Sequence, residues 1–167
     1  DTSTSSNTYA SGFQAISPDG SLVLWGQSQQ FPYMTLSAYN TPASLGQLNP
    51  GAGNPVHPTW SPDGKHISFG VRTDGNWLDF TQSTLWVADV DTTAHTFSNV
   101  HKSVDNNGTR PTTTFPAYSA DSQWIAFERS TQARSRGAQS EIWLTKSDGS
   151  LMMPLDNTNG VGVITQT

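Results

Sequence analysis

The chain has 167 residues, no cysteine and a net charge of −5, and only 13% of its residues are charged. The length suits one domain, the lack of cysteine excludes disulfide scaffolds, thiol catalysis and cysteine-bound zinc, and the negative charge argues against nucleic-acid binding. No apolar run approaches the roughly 18 residues that a membrane-spanning helix requires.

The first 12 residues form a Ser/Thr-rich segment, and the same composition continues along the chain. Ser and Thr together make up 42 of the 167 residues, so hydroxyl groups rather than charges solvate the surface. We interpret this as an extracellular or periplasmic style of surface. The chain begins at Asp1 without a Met or an apolar leader. We therefore expect that a signal peptide has been removed or that the chain is a piece of a longer protein.

Three segments that align without gaps follow in chain order. Each has an apolar residue, Ser, any residue, Asp and a small residue, and then a β-rich run that ends in an aromatic residue. Their serines, Ser17, Ser61 and Ser119, are 44 and 58 residues apart. Repeats of about 40–50 residues with four strands each are typical of propeller blades.

The start of each repeat predicts a tight turn between two strands. Ser-Pro-Asp-Gly occurs at 17–20 and at 61–64, where Pro presets one backbone angle and Gly accepts a positive φ. The third copy, at 119–122, keeps Ser and Asp but lacks Pro and Gly, so we expect the same turn at a slightly higher backbone cost. We interpret six residues as structural turn residues rather than catalytic groups: Ser17, Asp19, Ser61, Asp63, Ser119 and Asp121.

A third strand is predicted after each turn hairpin, at 34–41, 85–92 and 142–149, because these segments are rich in β-branched and aromatic residues and end in turns. A weaker fourth strand follows each of them. No window shows a helical period. The sequence therefore predicts an all-β chain whose propeller region spans residues 13–167, with blades at about 13–55, 56–112 and 113–160.

The hairpin with Ser-Pro-Asp-Gly, followed by Leu/Ile-Trp-Val/Leu and then Asp-Gly or Asp-Thr, resembles the TolB-like repeats, a WD40-like β-propeller group. The resemblance covers roughly residues 13–160. It implies three four-stranded antiparallel blades, whereas propellers of this group usually have six or more. We therefore expect a partial propeller, completed by another chain or by a further part of its own chain, with a two-fold dimer as the simplest closed form.

The two end faces of such a half-ring would expose aromatic residues such as Trp86 and Trp143. Exposed patches of that size normally mark interfaces. We also expect residues 161–167 to be a connection or a strand that enters another blade.

The search for catalytic chemistry gives no motif. No Gly-x-Ser-x-Gly elbow occurs, no histidine pattern indicates a metal site, and the chain has only two glutamates. The sequence therefore predicts a non-enzymatic module that binds or assembles with proteins. Two alternatives stay open: a propeller segment of a larger oligopeptidase-like or glycan-processing enzyme, and a lectin-like module suggested by the six tryptophans.

Loop lengths favour one face as the binding face. In a four-stranded blade the second-to-third loops and the connections between blades emerge on the same face, and the long segments of this chain all fall there. Binding residues usually lie on such loops. The predicted contact residues are Asp74, Trp77, Asp79, Arg129, Arg134 and Arg136.

Three of these residues, Asp74, Trp77 and Asp79, belong to a short polar stretch at 74–79. Asp74, Asn76 and Asp79 have a weak likeness to a calcium loop, but the stretch lacks the full acidic spacing of an EF-hand. We interpret it as a polar surface loop without a cofactor and keep calcium as the alternative. Trp77 has no equivalent in the other repeats, so we expect it either to contact a ligand or to pack on the edge of its blade.

Overall fold

The computed structural model describes residues 14–26, 31–41, 43–155 and 164–165, and its strands form three antiparallel sheets. The first sheet contains β1 (Gln14–Ile16), β2 (Leu22–Gly26), β3 (Met34–Ala38) and β4 (Ser44–Leu48). The second contains β5 (Asn54–Trp60), β6 (His66–Arg72), β7 (Ser83–Asp91) and β8 (Thr96–Val104). The third contains β9 (Thr112–Tyr118), β10 (Trp124–Ser130), β11 (Gln139–Lys146), β12 (Met152–Pro154) and β13 (Ile164–Thr165).

Within each sheet the first four strands lie in chain order. The first strand is the inner one and contacts the inner strand of the neighbouring sheet, and the fourth is the outer one. The described residues contain no helix. The prediction of an all-β chain with three four-stranded antiparallel blades is therefore confirmed. The second and third sheets begin at Asn54 and Thr112, slightly before the predicted repeat boundaries at 56 and 113.

Residues 161–167 were expected to lead into another blade. Most of them lie outside the described residues, but the described pair 164–165 forms β13, which pairs with β11 of the third sheet, at Gln139 and Ser140. The reason is the length of β11. The short outer strand β12 pairs only with its residues 143–145, which leaves backbone hydrogen-bonding groups at the start of β11 for a further strand.

The turn between β1 and β2 is closed by side chains. Ser17 Oγ donates to Asp19 Oδ1 at 2.6 Å and accepts the Leu22 amide at 2.9 Å. Asp19 also accepts the amide and the hydroxyl of Ser21. These hydrogen bonds, led by the one from Ser17, lower the pKa of Asp19 to about 2.

The other two turns repeat this arrangement. Ser61 Oγ and Ser119 Oγ each donate to the aspartate two residues later, at 2.6 Å. The last turn position has a positive φ in every copy: 75° at Gly20, 73° at Gly64 and 61° at Ser122. Only the third copy therefore places a side chain in the left-handed region, which favours Gly.

The interface between the first two sheets, here called the first seam, is an apolar core. Twelve buried residues form it: Ala15, Leu22, Leu24, Met34, Leu36 and Leu48 from the first sheet, and Trp60, Ile67, Phe69, Val71, Ala88 and Val90 from the second. Trp60 Nε1 donates a hydrogen bond across it to the carbonyl oxygen of Ala15, at 3.2 Å.

The interface between the second and third sheets, here called the second seam, has a smaller apolar core and more polar contacts. Its core consists of Leu85, Val87, Val104, Ile125 and Phe127, and Trp143 packs against it. Since Trp86 packs against the core of the first seam, the expectation that these two tryptophans are exposed on the end faces is wrong. Ser83 Oγ donates to the carbonyl oxygen of Thr113 at 3.0 Å and accepts the Thr113 amide at 2.9 Å. Arg110 and Glu141 form an ion pair at 3.0 Å, with both side chains largely buried.

The inner strands meet at the second seam through two stacked rings. His57 of β5 and Phe115 of β9 occupy the same repeat position, each before a Pro, with φ of 50° at a bulge in its sheet. Their ring centroids are 4.2 Å apart. His57 is only 3% exposed, and burial, followed by the charge of Arg134, lowers its pKa to about 3.

Candidate loop interface and a buried arginine

Two loops of neighbouring sheets meet on the predicted binding face. One loop, residues 73–82, joins β6 to β7, and the other, residues 131–138, joins β10 to β11. The Ala133 amide donates to the carbonyl oxygen of Phe80 at 2.9 Å, and Gln132 Nε2 donates to Asp79 Oδ1. Phe80 and Ala133 are buried with Val56 beneath the loops. The loops therefore form one surface that bridges the second seam.

The carboxylate of Asp74 organises the first of these loops from inside. It accepts the amides of Thr81 and Gln82 at 3.0 and 2.9 Å and the hydroxyl of Thr81 at 2.5 Å. Burial raises the pKa of Asp74, but these hydrogen bonds and the nearby charge of Arg72 outweigh it, so the pKa lies below its usual value. Asp74 thus closes the loop and is half-buried.

A shallow cleft of about 390 Å³ lies where the two loops meet. The structure brings three of the six predicted contact residues, Asp79, Arg134 and Arg136, to this cleft, and all three are exposed. Arg134 has a φ of 53°, a conformation in which non-glycine residues are uncommon. The cleft therefore has one carboxylate and two guanidinium groups along its lining.

Trp77 lies in the same loop as Asp79 and is half-buried. It does not line this cleft. Whether it contacts a ligand stays a prediction.

Arg129 does not belong to the loop surface, and its predicted place in a long loop is wrong. β10 continues to Ser130 and pairs on both sides, so Arg129 lies opposite Thr113 of β9 and Glu141 of β11. Its side chain points into the second seam and is 3% exposed. The polar composition after Phe127 suggested a loop, but the sheet continues because both neighbouring strands are long enough to pair with it.

The side-chain oxygens of Asp74, Asn76 and Asp79, the three residues that resemble a calcium loop, accept hydrogen bonds within the protein. Asn76 Oδ1 accepts the amides of Leu78 and Asp79, at 2.8 and 3.0 Å, while the Asp74 and Asp79 carboxylates accept the bonds given above. In the described part of the chain, no group of three or more His, Cys, Asp or Glu side chains is arranged to hold a metal ion. Calcium binding is left as an untested alternative.

Sequence reasoning missed the buried arginine Arg72. Its Nη1 donates to the carbonyl oxygens of Asp74 and Gly75, at 2.9 and 2.8 Å. These two hydrogen bonds fix the backbone of the loop at 73–82. The ion pair of Arg110 with Glu141 was also missed. These two residues are far apart in sequence, and no local pattern links them.

The fold is similar to solved propeller-type structures, while a scan of protein-family models and a search of curated proteins gave no match. A protein assigned as TolB from Agrobacterium tumefaciens matches 85% of this chain with a TM-score of 0.58 and 17% identity. A protein assigned as a 6-phosphogluconolactonase from Bacteroides fragilis matches 92% with a TM-score of 0.56 and 12% identity. Hydrazine synthase from Kuenenia stuttgartiensis matches 86% with a TM-score of 0.53 and 16% identity.

The chain spans less than half the length of each of these structures: 47%, 38% and 42% respectively. Among the described residues, no helix has the length and apolarity that crossing a bilayer would demand. The three sheets, their strand order and these likenesses agree on one architecture. The chain has a TolB-like, propeller-type fold.

Proposed function

We propose that this chain is a non-enzymatic, protein-binding segment of a β-propeller, and that it binds through the loops at 73–82 and 131–138. The observation that carries the proposal is the cross-seam bonding of the two loops, through Gln132 to Asp79 and Ala133 to Phe80. Loops held in this way present Arg134 and Arg136 on a pre-organised surface, which lowers the ordering cost of binding. Guanidinium groups suit carboxylates of a partner protein because of their forked donors.

The proposal includes further blades. Val23 of the first sheet stands at the repeat position of Ile67 and Ile125, which are fully buried in the two seams. Leu144 of the third sheet stands at the position of Val87, which is 3% exposed. Val23 and Leu144 are only half-buried, on end faces where no other described sheet packs. The repeat pattern therefore provides seam residues at both ends of the row of sheets.

In the isolated chain, we propose that a second copy supplies the missing blades, as in a two-fold dimer. In a longer protein, blades of the same chain would take that place. The Ser/Thr-rich, weakly charged surface supports a periplasmic or extracellular location.

Comparative affinity capture tests the binding face. Wild-type protein, the double variant Arg134→Ala/Arg136→Ala and the control variant Lys65→Ala would be incubated with cell-envelope extract, and retained proteins quantified by mass spectrometry. Lys65 lies in a turn on the opposite face. We expect specific proteins to be lost from the loop variant alone, with an unchanged melting temperature. Equal retention by all three proteins, or loss only with Lys65→Ala, would contradict the proposed face.

Light scattering coupled to size exclusion tests the assembly. We expect a species of twice the 18.0 kDa chain mass, and conversion to monomer by Val23→Glu, which places a charge on the end face of the first sheet. Ala43→Glu, at an exposed position between β3 and β4, is the matched control. A stable 18.0 kDa wild-type monomer at micromolar concentration would rule out the second copy as partner.

A further inference from the structure

A cavity of about 350 Å³ opens at the outer part of the second seam, away from the loop cleft. Ser103, Asp105, Asn106 and Asn107, at the end of the second sheet, line one side of it. Gly149, Met152 and Arg129 of the third sheet line the other. Its size lies within the range of small-molecule sites in proteins.

Arg129 enters this cavity as a buried cation. Its Nη2 donates to the carbonyl oxygen of Asp105 at 3.0 Å and contacts Met152 Sδ at 3.3 Å. The guanidinium carbon lies 4.9 Å from the ring centroid of Trp143 and 5.8 Å from that of Phe127. All of these partners are uncharged. Among the described residues, Arg129 Nε has no hydrogen-bond acceptor.

The nearby carboxylates are committed to other donors. Glu141 accepts Arg110 at 3.0 Å on one oxygen and Trp143 Nε1 at 3.1 Å on the other. Asp105 accepts Lys102 at 2.7 Å on one oxygen and the Asn106 amide at 3.1 Å on the other. Burial lowers the pKa of Arg129, and the charges of Glu141 and Asp105 only partly offset this. The guanidinium nevertheless stays charged, because arginine does not lose its proton in proteins.

A buried charge without a directly bonded counter-ion lowers the stability of the fold. The cavity also contains a second donor without an acceptor. Ser103 Oγ is buried and has no hydrogen-bond partner within the described part of the chain. Gly149 lies close by: a Cβ there would come within 3.0 Å of the Ser103 carbonyl oxygen and 3.3 Å of its hydroxyl. The Arg129 guanidinium and the Ser103 hydroxyl thus border one cavity, and each has a donor without an acceptor among the described residues.

We propose that this cavity is a binding site for a carboxylate group, held by Arg129 and Ser103. The planar carboxylate matches the forked donors of a guanidinium better than a monatomic anion does. The carboxylate comes from a small organic acid or from the C-terminus of a polypeptide. Both sources present the same group, and the experiment below distinguishes them.

Titration followed by nuclear magnetic resonance tests the site directly. The probes are sodium acetate, sodium succinate, and a short peptide with either a free or an amidated C-terminus, against sodium chloride at equal ionic strength. We expect a saturable shift of the Arg129 Nε–Hε signal with the carboxylates and none with chloride. The corresponding signals of Arg72 and Arg110 are internal references, because these Nε atoms are also buried with no acceptor among the described residues but do not line the cavity.

The arms of this titration separate the two sources. A shift with acetate or succinate indicates a small organic acid, and a shift only with the free-carboxyl peptide indicates a polypeptide terminus. In Arg129→Gln we expect an affinity loss of about tenfold or more, and in Ser103→Ala a smaller loss. Lys65→Gln, at an exposed turn on the face opposite the loops, should bind as the wild type does. No saturable shift with any carboxylate, or an equal shift with chloride, would overturn the proposal.

A second pair of variants covers the case in which Arg129→Gln does not fold. Met152 is 41% exposed, and its sulfur already contacts Arg129, so Met152→Glu would place a carboxylate within reach of the guanidinium. We expect Met152→Glu to melt at a higher temperature than Met152→Gln at pH 7 and to lose its response to added acetate. A Met152→Glu protein that melts no higher than Met152→Gln and still responds to acetate would contradict the site.

Discussion

The two seams come from the same repeat, yet they are built differently. At the first seam, Leu24 of β2 is fully buried against the second sheet. The same repeat position in the second sheet is Ser68 of β6, whose hydroxyl donates to a main-chain carbonyl instead of adding to an apolar core. Gly70, two residues later, allows β9 to approach closely. The second seam is therefore held partly by backbone and polar contacts.

The two seams also differ in the polar groups and cavities that they contain. The core of the first seam consists of apolar side chains that pack against each other. The second seam carries the bridged loops at one end and Arg129 with its cavity at the outer rim. Polar groups at a blade interface cost stability unless they are paired, and the buried Arg129 Nε has no acceptor among the described residues.

The largest expected loss of stability comes from truncating a core side chain of the first seam. Phe69→Ala removes a fully buried ring from its core, and we expect a loss of about 3–5 kcal/mol in the free energy of unfolding. Urea denaturation measures it. Tyr39→Ala, at a residue 71% exposed, should change stability by no more than about 0.5 kcal/mol. A loss below about 1 kcal/mol for Phe69→Ala would mean that this seam does not carry the stability inferred here.

Acid should weaken the second seam through His57. Its pKa is lowered to about 3 in the folded state, mainly by burial, and is about 6.5 when unfolded. The unfolded state therefore binds the proton first, and stability falls as the pH drops from about 6.5 towards 3. Between pH 6.5 and 4 we expect a loss of roughly 3 kcal/mol from this group, at about 1.4 kcal/mol per pH unit.

The variant His57→Phe isolates that contribution, because Phe115 already adopts the same φ at the equivalent position. Urea denaturation at several pH values should show a flatter dependence for His57→Phe than for wild type above pH 4. Gln47→Ala, at an exposed residue of the outer strand β4 that carries no titratable group, is the control and should leave the slope unchanged. Identical slopes for wild type and His57→Phe would remove His57 as the cause.

A matched pair of glycine variants tests how closely the neighbouring inner strand approaches Gly70 at the second seam and Gly26 at the first. A Cβ at Gly70 would lie 3.1 Å from the Thr113 carbonyl oxygen and 3.2 Å from Val56, whereas a Cβ at Gly26 would come no closer than 4.0 Å to any described atom, the Pro55 carbonyl oxygen. We expect Gly70→Ala to cost about 1–3 kcal/mol and Gly26→Ala to stay within about 0.5 kcal/mol. Thermal unfolding of both variants checks this, and equal losses would show that the approach of β9 is not the constraint.

The smallest expected effect concerns the third turn. Ser122 Oγ accepts the Asp63 amide at 3.1 Å across the second seam, between residues 59 positions apart. Ser122→Ala loses this bond and keeps the positive φ, so we expect a cost of about 1 kcal/mol. Ser122→Gly loses the bond but relaxes the backbone, so its net change should stay within about 0.5 kcal/mol. Calorimetry that ranks the glycine variant below the alanine variant would contradict this balance.

Much of the fold followed from local patterns, and much of the candidate site did not. The Ser-x-Asp turns and the Leu/Ile-Trp-Val/Leu strands could be placed because turn chemistry and β-rich composition act over a few residues. Arg129 was misplaced because its neighbours in sequence are polar, while its environment is set by Asp105, Glu141 and Met152 on other strands. The bridge from Gln132 to Asp79 likewise joins residues that no local pattern connects.

The sequence was enough to predict three sheets, the chain order of their first four strands and the Ser-x-Asp turns, because backbone angles and side-chain alternation act over short distances. The packing of the sheets sets which side of each sheet enters a seam, and hence that Ser68 and Gly70 replace an apolar contact at the second seam. It also decided that the charge of Arg129 is buried beside a cavity. Burial and pairing are properties of contacts between distant residues, and those contacts exist only after the sheets have packed.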